Sequence, residues 1–142
     1  VATLTQIADA VVAELEGADL SQPVSPERHW RPLFELEEMA ALHVTVVPKG
    51  VTVVAGSRGR NTFEYEVDVA VQKKLDAAGA AEIDPLVDLV EEIGDLFRLR
   101  RLTGYSDAVW VRTEHVPLYA TEHLDELRQL TSVLTLTFRV VR

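Results

Sequence analysis

Cysteine is missing from all 142 residues. Its absence excludes disulfides, thiolate zinc sites, iron–sulfur ligation and cysteine nucleophiles together, and leaves the redox compartment unreadable. Histidine is scarce: His29, His43, His115 and His123 include no pair at helical metal-binding spacing. No run approaches 18 apolar residues, and residues 1–20 carry acids where a secretion signal needs a basic flank and an apolar stretch. The expectation is a soluble chain with no membrane partner. Positive charge is also short. Lys plus Arg number 14 against 23 Asp plus Glu, a formal net charge of −9, which argues against a chain-wide grip on nucleic acid.

What is present is ordinary globular material, 47% hydrophobic and 26% charged. The length sits at the commonest size of one domain, so residues 1–142 are read as a single unit. Leu4, Ile7, Ala8, Val11, Val12 and Leu15 recur at helical spacing over about 4–16, with Thr3 and Gln6 fitting a capping box and Gly17 a stop. From Asp19 to Pro32, three prolines bias the chain toward an extended surface arm. A short β-branched run from Leu42 to Val47 reads as a strand ending at Pro48 and Gly50.

The clearest strand covers Thr62 to Gln72. Phe63, Tyr65, Val67, Val69 and Val71 alternate with Thr62, Glu64, Glu66, Asp68 and Gln72, the period of an antiparallel strand with one buried face. Ile83, Leu86, Val87, Val90, Ile93 and Phe97 then mark a helix over about 81–100, with Asp84 as cap and Pro85 at the first helical position. Ala108 to Val116 and Val133 to Val141 read as further strands, separated by a loop over Pro117 to Leu130 with a helical turn at Glu122 to Arg128. The expected fold is α+β in the order α-β-β-α-β-β: a four-stranded, mainly antiparallel sheet with both helices on one face and a polar second face.

The search for chemistry assigns no catalytic residue, cofactor or metal ligand. Ser106, Asp107 and His115 have the atom types of a nucleophilic trio, but no nucleophile elbow or oxyanion loop surrounds Ser106. The acid pairs Glu37/Glu38 and Glu91/Glu92 are adjacent, so their side chains diverge by about 100° on a helix. Gly56-Ser57-Arg58-Gly59-Arg60 is glycine-rich and cationic, yet lacks the Lys-Ser/Thr ending of a phosphate loop and leads into a strand. Phe63 and Tyr65 resemble the base-stacking aromatics of an RNA-recognition sheet, but share their face with Val67, Val69 and Val71, which reads as core.

One regional feature stands out. Between Glu38 and Glu64 there is no acid, and Lys49, Arg58 and Arg60 fall in that gap beside the acidic strand face of Glu64, Glu66 and Asp68. The pattern fits an ordinary hairpin loop or a self-complementary contact between copies, for which these six residues are the candidates.

The order of the pieces resembles the tail terminator (tail completion) proteins of long-tailed bacteriophages and prophages. The resemblance spans nearly the whole chain. It is carried by the N-terminal helix, Leu33-Phe34-Glu35-Leu36 leading to Val44-Thr45-Val46-Val47-Pro48, and Ser57-Arg58 before Tyr65-Glu66-Val67-Asp68-Val69-Ala70-Val71-Gln72-Lys73. It continues through Pro85-Leu86-Val87-Asp88-Leu89-Val90-Glu91-Glu92-Ile93, Val109-Trp110-Val111 and Pro117-Leu118-Tyr119 to Ser132-Val133-Leu134-Thr135-Leu136-Thr137-Phe138.

The resemblance implies a non-enzymatic virion protein, assembled in the bacterial cytoplasm. It implies a ring, typically hexameric, on the head-proximal end of the tail tube in the neck. Such a ring ends polymerisation, offers a docking surface to the head–tail connector and lets DNA pass without specific binding. The alternatives are another neck or head-completion connector and, from a different class, a small-molecule-binding α+β domain or enzyme.

Overall fold

The computed structural model describes residues 2–30, 41–56, 58–76, 79–115 and 129–142. The Leu33–Leu36 approach, Ser57, the Pro117–Tyr119 segment and the helical turn expected at 122–128 lie outside the described residues.

The first apolar stripe forms helix α1, Thr3–Glu16, which buries Ile7, Ala8, Ala10, Val11 and Leu15. The capping box does not form. Thr3 is already helical, so the cap position falls to Ala2, whose carbonyl accepts from the Gln6 N–H at 3.1 Å. Gly17 ends the helix in a right-handed conformation, its N–H reaching the Ala13 carbonyl at 3.1 Å. Helix α2, Ala80–Phe97, starts a turn earlier than Asp84 and Pro85 suggest, with Gly79 as N-cap and Pro85 inside the helix. Packing of Ile83 against Leu75, Leu86 and Leu130 holds that first turn in place.

The sheet corrects the expected architecture. It is a curled, mixed sheet of six strands, not four antiparallel ones: β1 (Glu27–Arg28), β2 (His43–Ala55), β3 (Asn61–Lys74), β4 (Arg101–Leu102), β5 (Tyr105–Glu114) and β6 (Gln129–Val141), in the order β1-β2-β3-β6-β5-β4. The class is still α+β. The two unexpected strands are the edges, each two residues long, too short for any alternation to register. β1 comes from the proline arm: Pro26 sets extended geometry just before it, and Glu27–Arg28 pairs parallel with Thr45 and Val46 of β2. All other pairings are antiparallel.

β2 does not stop at Pro48. The register with β3 shifts between Pro48 and Gly50, and this bulge absorbs a residue that cannot donate to a ladder, so the strand runs on to Ala55. Val46, Val69 and Leu134 share one face by register, as do Val67 with Leu136 and Tyr65 with Phe138. Both helices press on that face, α1 through Ile7 and Val11 and α2 through Leu89, Val90, Ile93 and Phe97. The Phe97 and Phe138 rings meet edge-on at 6.3 Å.

The second face is polar only in part. Thr45, Ala70, Gln72 and Thr137 lie on it and are buried, and Thr45 Oγ1, Gln72 Oε1 and Thr137 Oγ1 have no hydrogen-bond partner among the described residues.

Candidate assembly surface

The β2–β3 connection is a tight hairpin tip. Ala55 pairs with Asn61, so only residues 56–60 turn the chain. Two of them occupy left-handed backbone, Arg58 at φ 53° and Gly59 at φ 79°. Gly56 is required by proximity, because a Cβ there would stand 2.4 Å from the Arg60 carbonyl oxygen. Arg58 and Arg60 are exposed and form no ion pair among the described residues. The long cationic loop of the sequence reading is therefore a strand plus a short turn, with Lys49 inside the strand at the bulge.

Register decides what the other candidates touch. Glu64 stands opposite Arg139 and receives its guanidinium at 3.2 Å, with Arg112 of β5 at 3.6 Å. Glu66 pairs with Lys49 at 3.7 Å. Asp68 accepts the Thr135 hydroxyl at 2.7 Å. Arg112 also pairs with Glu114 at 3.2 Å. These groups form a band of alternating charge across β2, β3, β6 and β5, so Lys49 joins the acids while Arg58 and Arg60 stand apart. Exposed pairs of this kind contribute about 0–1 kcal/mol each, so the band sets surface character more than stability.

Two further surface features follow from the fold. Val51, Val53 and Val54 on distal β2 are 48%, 53% and 53% exposed, and among the described residues β1 covers only Thr45 and Val46, with no strand paired to the outer edge of residues 48–55. The second is an acidic stripe on α2: Asp84, Asp88, Glu91 and Asp95, all exposed, spaced i, i+4, i+7 and i+11 along one helix face. Six acids crowd residues 82–95 of the sequence, and the helix sets these four on one face.

The catalytic trio does not assemble. Ser106 and His115 are nine residues apart along β5 and just past its end, about 30 Å in an extended strand. His115 Nε2 instead hydrogen-bonds Ser132 Oγ at 2.6 Å. A groove of about 530 Å³ runs between α2 and the β5–β6 face, lined by Val87, Gly94, Trp110, Thr113, His115 and Leu134. Within it Trp110 Nε1 donates to Thr113 Oγ1 at 2.8 Å, while Glu91, Asp95 and Arg98 stand at its border. Tyr65 is buried beside Phe63, whose ring is covered by the Arg142 guanidinium at 4.3 Å, so neither ring is open to a base. Among the described residues no group of three or more His, Asp or Glu is placed to hold a metal, and no helix is long and apolar enough to cross a membrane.

No protein-family model and no curated protein matches the sequence. The fold does have a solved counterpart, the sheath/tube terminator of PVC, an extracellular contractile injection system, seen by cryo-EM in its extended state. The two superpose with a TM-score of 0.52 at 18% identity, over 99% of this chain and 57% of that one. At this identity the likeness is one of fold, and the chain spans a little over half the length of its neighbour.

Proposed function

We propose that this chain is a structural terminator that acts as one unit, assembling as a homo-oligomeric ring on the end of a tail tube and stopping its growth. The observation that carries the reading is the fold likeness to a sheath/tube terminator over 99% of the chain. The sequence pattern of bacteriophage tail terminators supports it from a different direction. On this reading the ring is hexameric and sits at the head-proximal end of the tail, in the neck of a virion assembled in the host cytoplasm. The head–tail connector docks on it, and DNA passes through without specific binding, since a surface of net charge −9 repels the phosphate backbone.

The hairpin cations Arg58 and Arg60 contact a neighbouring copy. Lys49, Glu64, Glu66 and Asp68 form the charged sheet face beside that contact. Ring subunits need two non-identical adhesive surfaces, and a chain with a cationic tip and separate acidic surfaces supplies them.

The test is electron microscopy of purified protein mixed with preformed tail tubes. The expected outcome is density capping one end of each tube and arrest of elongation when further tube subunits are added. Binding to the head portal with bare tube ends would instead favour a head-completion connector. Binding to neither would reject both.

A further inference from the structure

The β2–β3 tip carries features that no described residue of its own chain complements. Among the described residues no strand pairs with the outer edge of residues 48–55, where Val51, Val53 and Val54 are exposed, and Arg58 and Arg60 stand beyond them. Arg58 holds a left-handed backbone that an L side chain disfavours, and Gly59 beside it needs the same conformation. Strain retained at an exposed tip directs attention to the side chain kept there.

The acidic stripe of α2 is the converse surface. Asp84, Asp88, Glu91 and Asp95 lie along about 16 Å of one helix face, where like charges three and four residues apart repel. Among the described residues only Asp95 has an ion-pair partner, Arg98 at 3.7 Å. The stripe borders an open cleft of about 480 Å³ against Ser21 and Gln22 of the arm. Glu92 is held in that wall by the Ser21 N–H at 2.7 Å. The carboxylates of Glu64, Glu66 and Asp68, by contrast, already engage Arg139, Lys49 and Thr135 of their own chain.

Within one chain the tip and the Asp84–Asp88 end of the stripe lie at opposite ends of the sheet. The tip lies beyond Asn61, whereas α2 begins at the other end of the sheet, where Leu86 packs on Leu75 and Leu130. β3 between them has 14 residues, about 45 Å of strand.

We propose that the β2–β3 tip of one copy docks on the α2 acidic stripe of a second copy, with Arg58 and Arg60 facing Asp84, Asp88 and Glu91. The proposal rests on the ring reading and specifies its interface. On the ring reading each copy gives its tip to one neighbour and its stripe to the other, a heterologous contact that closes where the rotation between copies is a whole fraction of a turn.

Two charge-reversed variants test it, R58E/R60E and D88K/E91K, each compared with wild type by native mass spectrometry alone and on tail tubes. Circular dichroism and the urea midpoint report folding. Each variant alone is expected to lose the ring species by on the order of tenfold or more, through like-charge juxtaposition. An equimolar mixture restores it, because each reversed tip meets a reversed stripe, and the restored rings alternate the two variants and contain an even number of copies.

As a second measurement, a chain carrying R60C and D88C should form disulfide-linked multimers on oxidation. No native cysteine competes for the linkage. Rings formed equally well by R58E/R60E would overturn this contact and leave the ring reading standing. Capping lost in R58E/R60E with rings intact would place the tip on the tube and also overturn it. A wild type that stays monomeric both alone and on tubes would reject the ring reading, and this contact with it.

Discussion

Phe138 is fully buried on the face shared by both helices and touches Phe97. Phe138→Ala should cost about 3–5 kcal/mol, measured as a lowered urea midpoint, because removing the ring loses its transfer free energy and opens a cavity. At the hairpin tip the signs separate. Arg58→Gly should raise stability by about 1 kcal/mol by removing a left-handed arginine, while weakening assembly if Arg58 serves a second copy. Gly56→Ala should lower the midpoint, since the added Cβ cannot fit 2.4 Å from the Arg60 carbonyl oxygen without reopening the turn. At this scale the sequence was legible in composition and not in register. The acid-free interval around Lys49, Arg58 and Arg60 could be read directly, but the Lys49–Glu66 pair depends on the bulge between Pro48 and Gly50.

Among the elements, α2 carries the clearest conflict between local preference and packing. Pro85 lies inside the helix, so the Ala81 carbonyl lacks the N–H that position 85 would ordinarily donate. Pro85 is exposed and its own carbonyl accepts from Gln22 Nε2 at 3.2 Å, a bond that any residue can keep. Pro85→Ala should therefore stabilise the chain by up to about 3 kcal/mol, read from thermal or urea unfolding. The strong periodic elements β3, α1 and the body of α2 follow from side-chain spacing alone. The errors fell where spacing carries no information: β1 and β4 have two residues each, and β2 crosses a proline that ordinarily punctuates a strand. The start expected near residue 81 matches Ala80, but the cap expected at Asp84 does not form: Gly79 takes that position, and Ile83 packs the first turn against Leu75, Leu86 and Leu130.

For the whole molecule, charge distribution matters more than net charge. Contacts between copies that depend on exposed cations and carboxylates should weaken steeply with salt, as the Debye length falls from about 10 Å at 0.1 M to about 3 Å at 1 M. Light scattering across that range should show ring mass declining while the urea midpoint of the subunit changes little, because the fold rests on its apolar core and its surface pairs contribute little. The α+β class could be read from two amphipathic helices among one-faced strands, and the order of the pieces pointed to the terminator resemblance. Which surfaces face outward could not, because that depends on a six-stranded register no local pattern encodes. The valine-rich outer edge of β2 also bears on the subunit before it meets any partner. A Val-rich strand that no described residue pairs on its outer edge is a template for fibril growth, and Lys49, Arg58 and Arg60 flank it as gatekeepers. Neutralising those cations should shorten the time a concentrated solution stays clear, so the charges assigned to assembly also protect the chain while it waits.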